Sequence, residues 1–151
     1  MSRRELSDLY EFRARLEAFA CELAAERAVA SQLDELEQVA EAFEGATRLR
    51  DDSERIDRVQ TTNEAFHQAM ADATGNDFLS LVLATTRENP VALSSFRGFS
   101  RDELARSALF HRMIVSAVAE RRGDRAGRLM TEHILQARDA LVESYPMEDA
   151  S

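Results

Sequence analysis

The sequence contains few of the residues that interrupt helices or cross-link a fold. Among its 151 residues there are only 5 glycines, 2 prolines and one cysteine, and tryptophan is absent. A single cysteine, Cys21, cannot build a disulfide framework, so the chain fits a reducing compartment and we expect a cytoplasmic protein. A chain of this length is about one domain, and it can bury most of its apolar surface in a single core.

Long hydrophobic runs and an excess of positive charge are also missing. The longest nearly unbroken apolar stretch, Phe78 to Ala84, is far shorter than the roughly 20 residues of a membrane span, so we expect no membrane association. With 28 acidic and 19 basic residues, the formal net charge is −9. This charge repels phosphate backbones and argues against nucleic-acid binding by this chain alone.

Ala, Glu, Leu and Arg dominate the composition, and all four favour helix over strand. Apolar residues recur at steps of three and four along six segments, which predicts an all-α protein. The six helices are predicted over about Arg4–Val29, from a Ser31–Asp34 cap to about Gly45, over about Asp51–Thr74, over about Asp77–Glu88, from a Ser100–Glu103 capping box to about Arg121, and from the turn at Gly123–Asp124 to about Tyr145. We further predict that Pro90 ends or kinks the fourth helix, and that a polar tail at 147–151 is disordered.

Two of these helices have apolar patterns that predict how they pack. The first helix has an apolar stripe that we expect to face the core, consisting of Leu9, Phe12, Leu16, Phe19 and Leu23. The fourth helix is apolar on most sides. This predicts burial on two faces and suggests a contact with another subunit.

All three histidines of the chain fall on apolar stripes of three different predicted helices: His67, His111 and His133. Burying three imidazoles without hydrogen bonds or a metal is costly, and imidazole is the commonest metal ligand in proteins. His111 lies 12 residues before Gly123 and His133 lies 10 after it. In an antiparallel hairpin, at ~1.5 Å per residue, they stand about 18 and 15 Å from the turn and are nearly level. The pattern therefore predicts a buried metal site.

Asn63 lies one helical turn before His67, so both side chains share a face and can chelate one ion. Three imidazole nitrogens and one amide oxygen suit Zn²⁺, Ni²⁺, Mn²⁺ or Fe²⁺, and ligand type alone does not choose among them. The only Glu-x-x-His motif is Glu64 to His67. A di-iron carboxylate bundle needs two such motifs and is excluded.

Two other interpretations of the histidines remain open. A metal-dependent hydrolase would use a metal-bound water as the nucleophile, but no inward carboxylate is expected near the histidines to serve as general base. We therefore do not expect an enzyme. A purely structural bundle would satisfy its histidines by hydrogen bonds, and metal removal would then leave its stability unchanged.

Several segments along nearly the whole chain resemble one known family. They are LYEFRARLE at 9–17, AAERA at 24–28, NEAFH at 63–67 followed by GN at 75–76, HRMI at 111–114 and MTEHI at 130–134. In order and spacing they are similar to FCD, the C-terminal effector-binding domain of the FadR subfamily of GntR transcription regulators. The resemblance implies an antiparallel bundle of six or seven helices with a central cavity for a divalent metal and a small organic acid.

Metal-binding members of this family use an aspartate and three histidines, and the resemblance carries these roles to Asn63, His67, His111 and His133. The chain departs from the family pattern at two positions. Asn63 replaces the usual aspartate, and Phe110 replaces an acidic residue often found directly before the histidine that corresponds to His111. A neutral amide is a weaker ligand than a carboxylate, so we expect lower metal affinity and more uncompensated positive charge at the ion.

Arg13 resembles the family arginine that binds an effector carboxylate, a role that suits its planar guanidinium. The alternative for Arg13 is an exposed ion pair with Glu17 at i+4. Arg87 is a second candidate for effector binding.

The resemblance implies a ligand-sensing domain that forms a homodimer in a transcription regulator. Such regulators contact DNA through an N-terminal winged helix-turn-helix, which has no counterpart here because the resemblance begins within the first ten residues. We expect residues 1–151 to be a single domain that is either part of a longer regulator or a stand-alone sensor.

Overall fold

The computed structural model describes residues 1–88 and 95–146. These ranges contain six α-helices, one short 3₁₀ helix and no strand, as the sequence predicts. The elements are α1 (Arg3–Arg27), α2 (Ala30–Thr47), α3 (Asp52–Ala73), α4 (Asp77–Arg87), the 3₁₀ helix (Ser95–Gly98), α5 (Arg101–Ala119) and α6 (Gly123–Ser144). The predicted effect of Pro90 and the predicted tail at 147–151 lie outside the described residues.

Side-chain caps fix the starts of most helices. The Ser100 hydroxyl accepts a hydrogen bond from the backbone N–H of Glu103, whose carboxylate accepts from the Ser100 N–H, so the predicted capping box is present. The predicted cap of α2 is wrong. Ser31 already lies inside the helix, and the Gln32 side chain instead accepts from the N–H of Val29.

Helices α1 and α6 form an antiparallel pair that is held at both ends. The Arg3 guanidinium donates to the Tyr145 carbonyl at 2.6 Å, which joins the start of α1 to the end of α6. At the other end, a Cβ on Gly123 would lie 3.2 Å from the Glu22 Cα. Gly127, one turn further along, is also packed tightly against Glu22. Glycine at these two positions therefore permits the close approach of α6 to α1.

The remaining helices enclose the core from the other side. Gln32 of α2 donates to the Asp72 carbonyl of α3, which places the start of one helix beside the end of the other. Helix α2 also packs on α5, and α5 packs on α6. The largest fully buried apolar side chains of these helices include Phe43, Phe66, Met70, Ile114 and Met130.

The inward stripe predicted for α1 is wrong. Phe12 is 51% exposed and Phe19 is 45% exposed, while Leu16 and Leu23 are only partly buried, beneath α4. The stripe that faces the core is Leu6, Tyr10, Arg13, Ala14, Glu17, Cys21 and Ala24. Its small residues allow α6 to approach closely, so the less hydrophobic of the two stripes is the buried one.

Helix α4 buries one face and exposes the other. Leu79 and Leu83 pack with Ala20 of α1 and Ala71 of α3, whereas Phe78 on the opposite face is 85% exposed. The predicted burial on two faces is therefore not met within one chain. No helix in the described ranges combines the length and apolarity that crossing a membrane requires.

Candidate metal and effector site

The three histidines meet in the interior of the bundle. His67 comes from α3, His111 from α5 and His133 from α6, and their exposed fractions are 1%, 0% and 7%. One donor nitrogen from each lies within 4.8 Å of the other two. The side chains thus gather where the helical stripes predict, and their role as metal ligands stays a prediction.

His111 and His133 form the tightest part of this cluster. Their Nε2 atoms are 3.2 Å apart, in agreement with the predicted level match across the α5–α6 hairpin. Zinc–imidazole bonds of about 2.0–2.1 Å place two nitrogens on one ion about 2.9–3.4 Å apart, depending on the coordination angle. The observed separation therefore fits two ligands of a single ion, and it also fits a hydrogen bond between the two rings.

The surroundings of His111 are apolar. Its ring stacks on Phe66 with centroids 3.8 Å apart and an interplanar angle of 6°, and the Phe43 ring lies 4.3 Å away. The buried Nδ1 atom has no hydrogen-bond partner among the described residues. Burial, with smaller effects from His133 and His67, lowers the pKa of His111 well below its usual value. A neutral ring with a lone pair and few partners is suited to a metal.

The ring of His133 is also kept neutral. Burial lowers its pKa to about 3, and the nearby His67 and Arg13 act in the same direction, against the opposing effect of Glu17. Neutral imidazole is the form that coordinates metals, so neither His111 nor His133 has to lose a charge before binding one.

His67 has polar surroundings instead. Its Nδ1 lies 3.2 Å from Oε2 of Glu17, a carboxylate on α1 that is 0% exposed. Burial raises the pKa of Glu17, but the contact with His67, together with Arg13 and Arg87, outweighs that effect, and the net pKa is lowered. Glu17 is therefore a buried, ionised carboxylate.

Two arginines accompany this carboxylate. The Nη2 atom of Arg13 is 3.9 Å from Glu17 Oε1, and the Nη1 atom of Arg87 is 3.8 Å from the same oxygen. Arg13 also lies over the Tyr10 ring, with its Cζ 5.0 Å from the centroid, and Arg87 donates to Gln68 at 2.8 Å. Arg13 is 6% exposed, so the alternative of an exposed ion pair with Glu17 is wrong.

A cavity of about 50 Å³ connects these groups. Its wall includes Arg13, Arg87, Asn63, His67 and His133, so five of the six predicted site residues border one space. His111 takes part in the cluster without belonging to this wall. The side chain of Asn63 is half-buried, one turn before His67, as the spacing predicts.

Glu17 is not among the predicted site residues, and the expectation that no inward carboxylate lies near the histidines is wrong. Glu17 was assigned to the surface because the wrong stripe of α1 was chosen as the inward one. The signal that could have found it is the second stripe, in which Leu6, Tyr10 and Cys21 recur at helical spacing around Arg13 and Glu17. The carboxylate already binds His67, which makes it a poor free base.

Comparisons with known proteins agree with this architecture. The family model described as "FCD domain" matches residues 8–136. Among solved structures, E. coli McbR/YncC superposes with a TM-score of 0.79 at 21% sequence identity, over 95% of this chain and 66% of that one. This chain thus spans just under two thirds of that protein's length. No curated protein sequence matches the chain.

The structural likeness establishes the helical fold, and the match to the family model extends over most of the sequence. The chain therefore belongs to the FCD domain family, the non-enzymatic regulatory domains that bind effectors in GntR-type transcription regulators.

Proposed function

We propose that this domain senses a small organic acid, which it binds beside a divalent metal ion, and that it passes the signal on through a homodimer. The observation that carries the proposal is the convergence of three buried histidines at a cavity whose wall also contains two arginines. A cluster of neutral nitrogens suits a cation, and guanidinium groups suit a carboxylate.

The metal would be held by His67, His111 and His133, with Asn63 as a fourth, neutral ligand. The donor set fits Zn²⁺, Ni²⁺, Mn²⁺ or Fe²⁺. The unpartnered Nδ1 of His111 and the close Nε2 pair support this assignment. When bound, the ion would supply positive charge and open coordination positions for an anionic effector.

The effector would be bound by Arg13 and Arg87. Buried nitrogens of both guanidinium groups, Nε of Arg13 and Nη1 of Arg87, have no hydrogen-bond partner in the described part of the chain. These nitrogens are available to carboxylate oxygens. The cavity of about 50 Å³ has room for roughly three to five water-sized groups, which favours an acid of few atoms.

The second copy in the homodimer would dock on α1 and α4. These two contacting helices leave several large apolar side chains exposed, among them Phe12, Phe78, Leu81 and Val82. Exposed apolar patches of this kind mark protein contacts. An effector that binds one arrangement of the dimer better than another would shift their populations. DNA would be contacted only by a winged helix-turn-helix outside this chain, in a cytoplasmic regulator.

The test of ligand binding is a thermal-shift experiment on protein stripped with a chelator. We expect Zn²⁺, Ni²⁺ or Mn²⁺ to raise the melting temperature, because a metal that binds only the native state stabilises it. Acetate or malonate should raise it further only when metal is present, while acetamide and malonamide should not. No shift with any metal would overturn the proposal and favour a cluster held by hydrogen bonds alone.

Matched variants assign the residues. His133→Ala should abolish the metal shift, and Arg13→Lys should reduce the acid shift but keep the metal shift. Arg15→Lys, an exposed position on the same helix, serves as the control and should change neither. Asn63→Asp should strengthen metal binding, since a carboxylate is a better ligand than an amide.

The homodimer is tested by sedimentation. Leu81→Arg places a charge on the exposed face of α4 and should convert dimers to monomers. Leu109→Arg is the control, because Leu109 is similarly exposed on α5 (56% against 68% for Leu81) but lies outside the proposed interface. A wild-type protein that sediments as a monomer at all concentrations would overturn this part.

A further inference from the structure

Glu17 is the one fully buried carboxylate in the described part of the chain, and no role has yet been given to it. Its Oε2 atom contacts His67 at 3.2 Å, whereas Oε1 stays 3.8–3.9 Å from the two arginines and has no hydrogen-bond partner there. The carboxylate is therefore directed at the imidazole more closely than at either guanidinium.

The hydrogen bond between Glu17 and His67 has a defined donor and acceptor. An ionised carboxylate only accepts hydrogen bonds, so Nδ1 of His67 must carry the hydrogen and donate it. In a neutral imidazole the other nitrogen, Nε2, then holds the lone pair. Glu17 itself lies outside the group of side chains whose donor atoms converge, which consists of the three histidines.

We propose that Glu17 is a positioning residue that holds His67 in the Nδ1–H tautomer, and thereby reserves Nε2 of His67 for the ion shared with His111 and His133. A carboxylate behind a metal-binding histidine commonly fixes its ring orientation and tautomer. Among residues 1–88 and 95–146, His111 has no such partner, because its Nδ1 is unpaired between Phe43 and Phe66. The orientation of His67 is thus set by a carboxylate, whereas that of His111 is set by ring packing and by the contact of its Nε2 with Nε2 of His133 at 3.2 Å.

The effect of Glu17 on metal binding rests on the proposed function, but the tautomer of His67 can be measured without metal. In ¹⁵N-resolved NMR of the metal-free protein at neutral pH, we expect His67 to carry its hydrogen on Nδ1. In Glu17→Gln the side-chain amide can donate as well as accept, so the Nε2–H tautomer should become populated. Glu26→Gln, the same change at an exposed position of α1, should leave the tautomer as in the wild type.

Metal affinity gives a second measurement. By competition with a chromophoric chelator, Glu17→Gln should bind Zn²⁺ about 10–100-fold more weakly than the wild type or Glu26→Gln, the usual cost of losing an outer partner of a ligand. If Glu17→Gln does not fold, Glu17→Asp replaces it. That variant keeps the negative charge near the arginines but withdraws the oxygens from His67, so it should show the same change in tautomer.

The outcomes separate the two proposals. A wild-type His67 that is protonated on Nε2 or on both nitrogens would overturn the positioning role, as would variants at Glu17 that keep the Nδ1–H tautomer. If the tautomer responds as expected but neither form binds any metal, the positioning of His67 stands and the metal part of the proposed function fails.

Discussion

The two sides of the histidine cluster, around His111 and around His67, accommodate a buried imidazole in different ways. On one side, His111 is held by aromatic rings, and its Nδ1 has no hydrogen-bond partner in the part of the chain that the structure describes. On the other side, His67 is held by a carboxylate that is itself accompanied by two arginines. The apolar side keeps its imidazole neutral by excluding water, while the polar side balances charge against charge. Identical residues therefore acquire different properties from their neighbours.

Removing the aromatic support should have the largest effect on stability. Phe66→Ala deletes a fully buried ring that stacks on His111, and we expect it to lower the free energy of unfolding by about 3–5 kcal/mol. Urea denaturation of metal-free protein measures this. Leu109→Ala, at a position 56% exposed on α5, is the control and should stay within about 0.5 kcal/mol of the wild type. Equal losses in both variants would contradict a packed aromatic side.

The second-largest loss of stability is expected when one of the positive charges around Glu17 is removed. Arg13→Met removes one of the two guanidinium groups near the buried Glu17. Leaving a buried charge partly uncompensated should lower the free energy of unfolding by about 3 kcal/mol, the lower end of the range for buried pairs, because Arg87 and His67 remain. The same denaturation assay applies. Arg15→Met, exposed on the same helix, should have little effect, and an equally mild Arg13→Met would show that the pair is not coupled.

Acid should destabilise the protein through its two neutral histidines, His111 and His133. Because the native-state pKa of both His111 and His133 is lowered, only the unfolded chain takes up their protons as the pH falls below about 6.5. Stability is therefore highest above that pH and falls between about 6.5 and the lowered native values. At pH 5.5 the expected loss is about 1.4 kcal/mol for each histidine, or about 2.8 kcal/mol for the two.

This pH dependence is measured by chemical denaturation with a chelator present, from pH 7.5 to pH 5.5. His133→Gln removes one of the two groups and should reduce the slope by about half. A slope that is unchanged in this variant would mean that His133 is protonated in the native protein.

The smallest effect is expected for a surface arginine–glutamate pair whose contact is shorter than the arginine contacts of the buried Glu17. Arg112 and Glu44 are 3.0 Å apart on the surface, with the arginine side chain 63% exposed. Because water screens this pair, Arg112→Ala should cost only about 0.2–1 kcal/mol. High salt should reduce the difference in stability between the wild type and the variant. A loss as large as that of Arg13→Met would mean that distance matters more than burial.

The histidine side of the site could be predicted from the sequence, and the carboxylate side could not. His111 and His133 are inward on regular stripes and are joined by a short turn, so residue counting was enough to place them level. Helix α1 has two apolar stripes with the same helical period. Choosing the more hydrophobic one placed Phe12 in the core and Glu17 on the surface, which is the reverse of their observed positions.

Periodicity alone could not decide between these stripes. The buried stripe is the one beside the close contact of Gly123 and Gly127 of α6 with Ala18, Glu22 and Ala25 of α1. That contact joins segments about a hundred residues apart, so no local pattern reveals it. The outer face of α4 poses a related problem, because the burial predicted for it would require a second molecule, and Phe78 is 85% exposed in a single chain.

The double attachment of α1 to α6 has a mechanical consequence. One end is fixed by the bond from Arg3 to Tyr145, and the other by the tight packing of the two glycines on Glu22. Sliding of one helix along the other would break both attachments at once, so these two form the rigid frame of the domain. Helix α4 shares only a short apolar strip with that frame, yet it ends at Arg87 beside the cavity. A shift of α4 would therefore move Arg87 and leave both attachments of the frame intact.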